Sequence, residues 1–324
     1  MRSNDHGSLR AVTLTEGPAL SFHFPGLRIG VAEYCEGPTG CTVFRFDGRP
    51  LCAIDVRGGS ALVVGRSGPV DAICLAGGST YGLAAVTGAA AELLAERHYD
   101  AGWEAVARIA GAIIYDFRVR DNAIYPDHAL GRLATRSAVP GAFPLGPHGA
   151  GSGATVGKLF WKSSRFERSG QGAAAAQIHG VRIAVFTVVN AVGAIVDRQG
   201  RVVRGFRDPV SGNRLSLLGQ LQQRAGEEPV PPEGNTTLTV VVTDQKLEIF
   251  ELELFARQVH ASLARAIQPF HAREDGDVLF AVATGAIQDS LLPVSLLAAF
   301  AGEVAWDAVL SCWGEPVETA TTST

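Results

Sequence analysis

The first half of the chain alternates short apolar runs with glycine-rich turns. Three runs with many β-branched and aromatic residues, CTVFRF, LCAIDV and AICLAGG, lie within residues 41–78. Apolar runs of this length, bounded by turns, predict buried strands. Residues 81–97 then place alanine and leucine at helical spacing and end in a basic turn, which predicts a helix. Three more apolar runs, which end near Asp116, at Asn190 and in VGAIVD, predict further strands.

The second half contains an abrupt change from polar to apolar sequence. Residues 200–234 are polar and lead into the proline-rich EEPVPPEGN, which excludes a helix and disfavours a central strand. Immediately afterwards, TTLTVVVTD from Thr236 to Asp244 has the composition of a fully buried strand. A long helix over 247–267, a strand VLFAVATG after the turn HAREDGD, and a last helix over 291–310 complete the predicted elements.

No linker and no internal repeat divides these elements. We therefore expect a single domain over residues 1–324, with flexible ends at 1–20 and 314–324. The mixture of helices with buried strands predicts an α/β (α+β) fold of layered sheets covered by helices.

Composition and charge narrow the class of protein. The chain is 47% hydrophobic and 19% charged, which is typical of a globular protein with a sizeable core. The net charge of -4, without basic blocks, argues against nucleic acid and anionic membranes as partners. The opening stretch MRSNDHGSLRAVTLTEGP has no apolar signal region, and Glu303 and Asp307 interrupt the last apolar stretch. We expect a cytoplasmic protein that does not enter a membrane.

Cysteine and histidine spacing gives no sign of a metal site or a disulfide framework. The five cysteines are odd in number and none has metal-ligand spacing, so we expect them to be reduced. His260, on a helix face, and His271, near the turn DGD, lie nearest the candidate site described next, but neither has a ligand partner at helical spacing. We expect neither a metal nor a cofactor.

The junction between Asn235 and Thr236 is the first candidate for chemistry. A threonine hydroxyl is a poor nucleophile without a neighbouring base. If the chain is cut before Thr236, the new α-amine, with a pKa of about 7.7 to 8, supplies such a base at neutral pH. The alternative is structural: GN forms a turn and TTLTVVV is a strand with high β-propensity.

Two carboxylates flank a glycine in Asp275-Gly276-Asp277. In an extended backbone both side chains point the same way, so they could hold a threonine amine or relay its protons. The alternative is a solvated acidic turn.

Three further residues have a catalytic and a structural interpretation. Lys158 ends the glycine-rich segment GAGSGATVGK, which matches neither phosphate-binding glycine motif. There the glycines could let backbone amides approach a reacting group, and Lys158 could stabilise negative charge, or it could be a surface lysine. Asn190 ends an apolar strand, either as an oxyanion donor or as a structural hydrogen bonder. Tyr115 is either a site residue or a core aromatic.

An ordered set of motifs resembles the P1 peptidase family. The family includes D-stereospecific aminopeptidases, β-peptidyl aminopeptidases and nylon-oligomer (6-aminohexanoate-oligomer) hydrolases, and the chain is most similar to the last branch. GNTT followed by DGD and FAVATG is the most specific combination. The other matching stretches run from Phe24 to Trp313: FPGLRIG, EGPTG, DVRGG, AICLAGGSTYGL, AIIYDF, AIYPDHALGR, GQGAA, VVNAVG, LFARQVHASLARAIQPFH and EVAWDAVL.

The resemblance implies a fold and an assembly. Members of the family form a four-layer αββα sandwich like that of N-terminal-nucleophile hydrolases. They cut themselves into two pieces that stay together, here residues 1–235 and 236–324. The resemblance also implies that such protomers associate further, for example as a tetramer.

The resemblance also implies roles for individual residues. Thr236 matches the nucleophile after the cleaved asparagine, Asn235. The acidic pair and the other residues that line the site match Asp275, Asp277, Lys158, Tyr115 and Asn190. The shorter N-terminal arm and the polar segment 201–233 depart from the pattern of the branch.

The implied activity is hydrolysis of small linear amides or peptides. The main alternative is an aminopeptidase that acts on D-amino-acid or β-peptide substrates, which would need a carboxylate for the substrate amine. Acyl transfer is a further alternative, although the KGxGM-type motif of ornithine acetyltransferases is missing. The last alternative is an assembly protein without catalytic activity.

Overall fold

The computed structural model describes residues 1–13, 17–160, 162, 164–227, 234–289 and 292–314. The α-helices in these ranges are α1 (Leu83–Glu96), α2 (His128–Arg136), α3 (Leu217–Gln223), α4 (Ile249–Ser262) and α5 (Val294–Leu310). The strands are β1 (Ala11–Thr13), β2 (Ala19–Ser21), β3 (Leu27–Tyr34), β4 (Thr39–Phe46), β5 (Leu51–Val56), β6 (Val63–Val64), β7 (Gly68–Pro69), β8 (Ala72–Ala76), β9 (Ile109–Ile113), β10 (Ala142–Pro144), β11 (Thr155–Val156), β12 (Glu167–Arg168), β13 (Gln171–Ile178), β14 (Val181–Asn190), β15 (Ala194–Val196), β16 (Val202–Arg204), β17 (Thr236–Gln245), β18 (Ile267–Gln268) and β19 (Val278–Ile287).

Two six-stranded sheets form the middle of the molecule. The first sheet has the order β1-β3-β4-β8-β9-β6, and the second sheet has the order β13-β14-β17-β19-β5-β7. One hydrophobic core lies between them and contains side chains from both, including Phe44 of β4 and Phe186 of β14. Their ring centroids are 5.2 Å apart. The facing sheets are thus held by apolar contact across a shared interior.

Helices cover the outer face of each sheet. A second core packs α1 and α2 against the first sheet, with Val86 and Leu130 among its buried residues. A third core packs α4 and α5 against the second sheet through residues such as Phe255 and Val309. The layers therefore run helices, sheet, sheet, helices, which confirms the αββα sandwich that the resemblance implied.

Helix boundaries follow local chemistry. The Asp127 side chain accepts the Leu130 N–H at the start of α2, and Glu248 and Glu251 form a capping box at the start of α4. These contacts satisfy amides that have no partner within their own helix. The apolar side of α4 faces the second sheet, while Glu253 and Arg257 lie on its outer side.

The sequence pattern identified most of the long apolar elements and missed others. β17 covers the predicted run and is buried at all ten positions. The helix predicted over 247–267 instead ends at Ser262 and continues as one 3-10 turn. Among the elements of seven or more residues, β3, α2, β13 and α3 were not predicted. The run of alanines in β13 has little β-propensity.

Parts of the terminal segments are paired with the body of the molecule. β1 pairs with β3, and β2 pairs with β10. Residues 228–233 of the proline-rich stretch and the tail 315–324 lie outside the described residues.

Within the described ranges, no helix combines the length and apolarity needed to cross a membrane.

Candidate active site

Sheet topology brings distant parts of the chain to one end of the second sheet. β17 pairs antiparallel with β14 so that Thr236 lies opposite Asn190. On its other side β17 runs parallel to β19, where Leu238 is opposite Val278. The turn that carries Asp275 and Asp277 therefore ends beside the beginning of β17. Four of the predicted site residues meet at this edge.

The Asn235–Thr236 peptide is buried and held on both sides. The Thr236 hydroxyl donates to the Asn235 carbonyl oxygen at 2.5 Å. The same oxygen accepts the Gly276 N–H at 2.7 Å, and the Asn235 N–H donates to the Glu274 carbonyl at 3.2 Å. A hydroxyl and an amide donor thus converge on one carbonyl, whose carbon becomes more electrophilic as its oxygen is polarised.

Asp277 ties its own turn to the backbone just after Thr236. One carboxylate oxygen accepts the Thr237 N–H at 2.7 Å. The other accepts two donors of His271, its backbone N–H at 3.2 Å and its Nδ1 at 2.9 Å. Asp277 is fully buried, so the interpretation as a solvated acidic turn is wrong.

Asp275 is buried beside Asp277 and faces backbone donors. Its oxygens accept the Val192 and Ala272 N–H groups, each at 3.1 Å. Burial, and next the negative charge of Asp277, raise the pKa of Asp275 to about 7, against the lowering effect of its backbone donors and of Lys158. This carboxyl can therefore exchange a proton near neutral pH.

Lys158 is a buried amine, so the interpretation as a surface lysine is wrong. It is 2% exposed, and its Nζ donates to the backbone oxygen of Asn190 at 3.1 Å and to its Oδ1 at 2.8 Å. Burial lowers the pKa of Lys158 from 10.5 to about 7; the negative charge of Asp275 opposes this shift and the positive charge of Arg118 adds to it. At neutral pH the amine can therefore accept as well as donate a proton.

Asn190 links this lysine to the chain around Thr236. Its Oδ1 also accepts the Thr155 N–H at 3.1 Å. Its Nδ2 donates to the carbonyl oxygens of Tyr115, at 3.2 Å, and Gly234, at 3.4 Å. In the uncut chain Asn190 is a structural hydrogen bonder, and its role as an oxyanion donor stays a prediction.

Tyr115 is half-buried and packs against the backbone at Gly234, just before Asn235. Gly234 has a φ of +83°, and a Cβ added there would lie 2.9 Å from the Tyr115 Cβ and Cγ. Phe117 continues the contact outward with a ring-centroid separation of 5.8 Å. Tyr115 therefore lies beside Gly234 at the edge of the core, and its role in the site stays a prediction.

The glycine-rich segment before Lys158 packs closely against other backbone. The Gly157 N–H donates to the Gly193 oxygen, and the Lys158 N–H donates to the Val192 oxygen, each at 2.7 Å. A Cβ on Gly157 would lie 2.4 Å from the Phe206 nitrogen. The expectation that these glycines bring amides to a reacting group is therefore wrong for Gly157, whose small size serves close packing that buries Lys158.

Sequence reasoning missed Gly276, Arg118 and the polar partners of the two histidines. Gly276 stood inside the DGD motif, but only pairing between β17 and β19 shows that its N–H meets the Asn235 carbonyl. His260 bonds through Nδ1 to Asp55 Oδ2 at 2.8 Å across 205 positions of sequence.

Among the described residues, no group of three or more histidine, cysteine, aspartate or glutamate side chains could hold a metal ion.

The fold defines the class of protein. A β-aminopeptidase from Burkholderia sp. superimposes with a TM-score of 0.64 over 96% of this chain and 91% of that one, at 19% identity. The L-aminopeptidase D-Ala-esterase/amidase of Ochrobactrum anthropi, described as a variant of the Ntn hydrolase fold, gives 0.59 over 93% and 88%, at 16% identity. The protein thus has the N-terminal-nucleophile hydrolase fold.

Sequence comparison then gives the family. The chain belongs to peptidase family S58, whose model matches residues 23–322. A 6-aminohexanoate-oligomer endohydrolase from Agromyces sp. (strain KY5R) is 45% identical over 322 residues, which cover 95% of this chain and 89% of that relative. The protein is accordingly a hydrolase that acts on amide bonds.

Proposed function

We propose that this hydrolase cuts its own chain between Asn235 and Thr236 and then uses Thr236 as its nucleophile. The observation that carries the proposal is the convergence of the Thr236 hydroxyl, at 2.5 Å, and the Gly276 N–H, at 2.7 Å, on the Asn235 carbonyl oxygen. Both residues of the bond are buried, so the arrangement is held by the fold.

Processing is an N-to-O acyl shift followed by hydrolysis. The Thr236 oxygen bonds to the Asn235 carbonyl carbon, and its proton passes to a neighbouring base, for which the neutral amine of Lys158 is suited. The Gly276 N–H stabilises the negative charge on the carbonyl oxygen. The C–N bond then breaks, the Thr236 nitrogen gains a proton as a free α-amine, and water hydrolyses the ester to release the Asn235 carboxylate.

The mature site uses the new amine in every turnover. The Thr236 hydroxyl attacks the substrate carbonyl, and its α-amine takes the proton and later gives it to the leaving amine. Asp275 and Asp277 orient the threonine and its amine, while Asn190 and backbone amides hold the oxyanion. Water then hydrolyses the acyl-enzyme and restores the hydroxyl.

The substrate class proposed is a linear amide of the 6-aminohexanoate-oligomer type. The 45% identity to a relative with that activity supports it. A strict aminopeptidase would need a carboxylate for the substrate amine. Asp275 and Asp277 each already accept backbone N–H groups on both oxygens, which favours substrates without a required free amine. Amide oligomers with a free or an acetylated amino end distinguish the two, and hydrolysis of only the free form would establish the aminopeptidase.

Mass spectrometry of the denatured protein tests the proposal. We expect residues 1–235 and 236–324 as separate masses for the wild type and for Thr236→Ser, which keeps a hydroxyl. Thr236→Ala should give one uncut, inactive chain. A Thr236→Ala variant that hydrolyses amides at the wild-type rate would refute the proposal, as would a wild type that never cuts yet is active. A homo-oligomer of the processed protomer is proposed as well, and light scattering would measure its size.

A further inference from the structure

Two imidazole rings lie together behind the acidic pair. His260 of α4 and His271 of the following turn have ring centroids 4.5 Å apart and ring planes at 87°. Each binds a different carboxylate through Nδ1: His260 bonds to Asp55 at 2.8 Å and His271 to Asp277 at 2.9 Å. Asp277 in turn accepts the Thr237 N–H. Contacts therefore run from β5 to Thr237: hydrogen bonds at each end are joined in the middle by the edge-to-face contact of the two rings.

Packing alone does not explain this arrangement, because it lowers the free energy of unfolding. The Nε2 atoms of His260 and His271 are buried, and neither has a hydrogen-bond partner among the described residues. A buried polar atom without a partner is destabilising. His271 also has a φ of +58°, in the left-handed region that side chains other than glycine rarely adopt. Two unfavourable features in one residue beside the site point to a functional constraint.

The strained backbone has a geometric result. It aims both the N–H and the Nδ1 of His271 at the same Oδ2 of Asp277, at 3.2 and 2.9 Å. With Oδ2 fixed in this way, Oδ1 points at the Thr237 N–H at 2.7 Å. The peptide between Thr236 and Thr237 is thereby held at the first step of β17, where the nucleophile must keep its direction.

We infer that His271 is a positioning residue for the proposed nucleophile Thr236, acting through Asp277 and the Thr237 N–H, with His260 and Asp55 supporting its ring from behind. The inference rests on the proposed function and adds a residue that touches neither the scissile bond nor the nucleophile side chain. His271 keeps the reacting groups in the geometry that acyl transfer needs. Small displacements of such groups lower the reaction rate by large factors.

Charged and titratable groups surround the ring pair. They come from β5 and the residue after its end, from α4, and from the turn before β19: Asp55, Arg57, His260, Asp275 and Asp277. Burial lowers the pKa of His260, so that ring adds no fixed positive charge near neutral pH. Loss of the His271 side-chain donor would remove one hydrogen bond from the carboxylate of Asp277, whose charge raises the pKa of Asp275.

Two substitutions distinguish the effect of the His271 hydrogen bond from the effect of its ring shape. His271→Asn keeps a side-chain N–H near the Nδ1 position and tolerates positive φ. His271→Phe keeps a flat ring and removes the donor. For Asn we expect processing and kcat to stay near wild type. For Phe we expect processing and kcat to fall roughly 10- to 100-fold while KM changes little.

Matched changes at His179 serve as the control. His179 is exposed, has a φ of +46° and lies in the turn between β13 and β14, so His179→Phe introduces a ring at similar backbone strain away from the site. A His271→Phe enzyme with wild-type processing and kcat would overturn the inference, as would a His271→Asn enzyme as impaired as the Phe variant. If His271→Phe does not fold, the Asn variant is compared with wild type: processing and kcat near wild type are expected, and a loss of about 10-fold or more in a folded Asn variant would overturn the inference. Either result leaves Thr236 processing of the wild type untouched, so the proposed function is tested separately.

Discussion

At the scale of single residues, the site gathers ionisable groups where water cannot solvate them. Lys158 is enclosed, and burial lowers its pKa to about 7. The motifs singled out Lys158, Asn190, Asp275 and Asp277 as site residues, which stays a prediction, and composition could not show that all four are buried. Burial depends on pairings such as Asn190 with Thr236, which only the folded sheet creates.

Lys158→Met tests the cost of this burial. The folded chain binds fewer protons than the unfolded chain between about pH 7 and 10.5, because folding lowers this pKa. Burying the protonated amine of Lys158 therefore lowers the wild-type free energy of unfolding by its full amount below about pH 7. This cost disappears as the pH rises towards 10.5. We expect Lys158→Met to gain stability relative to wild type as pH falls, and to process roughly 100-fold more slowly or not at all.

The measurement is thermal unfolding of both proteins across that pH range, with intact mass to follow processing. Lys246→Met is the control, because Lys246 is exposed and pairs only loosely with Glu248 at 3.8 Å. A difference in Tm between Lys158→Met and wild type that does not change with pH would show that Lys158 does not carry a shifted pKa.

At the scale of secondary-structure elements, the beginning of β17 and the turn before β19 form one unit. The parallel bridge between Asn235 and Asp275 extends the ladder back past the strands themselves. The apolar run of β17 could be predicted from sequence because every position is buried on both faces. Its register with β19 could not, since a run of valines and threonines fits several registers equally well.

Gly276→Ala should separate the turn before β19 from the beginning of β17. A Cβ at Gly276 would lie 2.5 Å from the Ser60 backbone oxygen, and backbone cannot move aside as a flexible side chain can. The turn would shift and carry the Gly276 N–H away from the Asn235 carbonyl oxygen. We expect processing to slow roughly 10²- to 10³-fold, the cost of losing one oxyanion donor.

The rate is measured as the fraction of cut chain against time after synthesis. Gly48→Ala provides the control, because Gly48 has a φ of +74° and nothing lies within 4 Å of the added Cβ. Normal processing in Gly276→Ala would mean that another group polarises the scissile carbonyl.

At the scale of the whole molecule, the proposed cut divides the second sheet between two chains. Residues 236–324 carry β17, α4, β19 and α5, while residues 1–235 carry β14 and β5, which flank those strands. β17 lies between β14 and β19, and β19 lies between β17 and β5. The two fragments thus interleave within one sheet and share two hydrophobic cores.

This interleaving predicts how the processed protein unfolds. Native size-exclusion chromatography should give one species, and denaturant should release two, because neither fragment can bury its strands alone. Once cut, unfolding yields two chains from one protomer, so the Tm of the processed protein should rise with protein concentration, whereas the Tm of uncut Thr236→Ala should depend on it less. Calorimetry over a hundredfold range of concentration compares the two. If the processed and uncut proteins show the same dependence, the fragments do not separate on unfolding, and further association of protomers, common to both proteins, accounts for any slope.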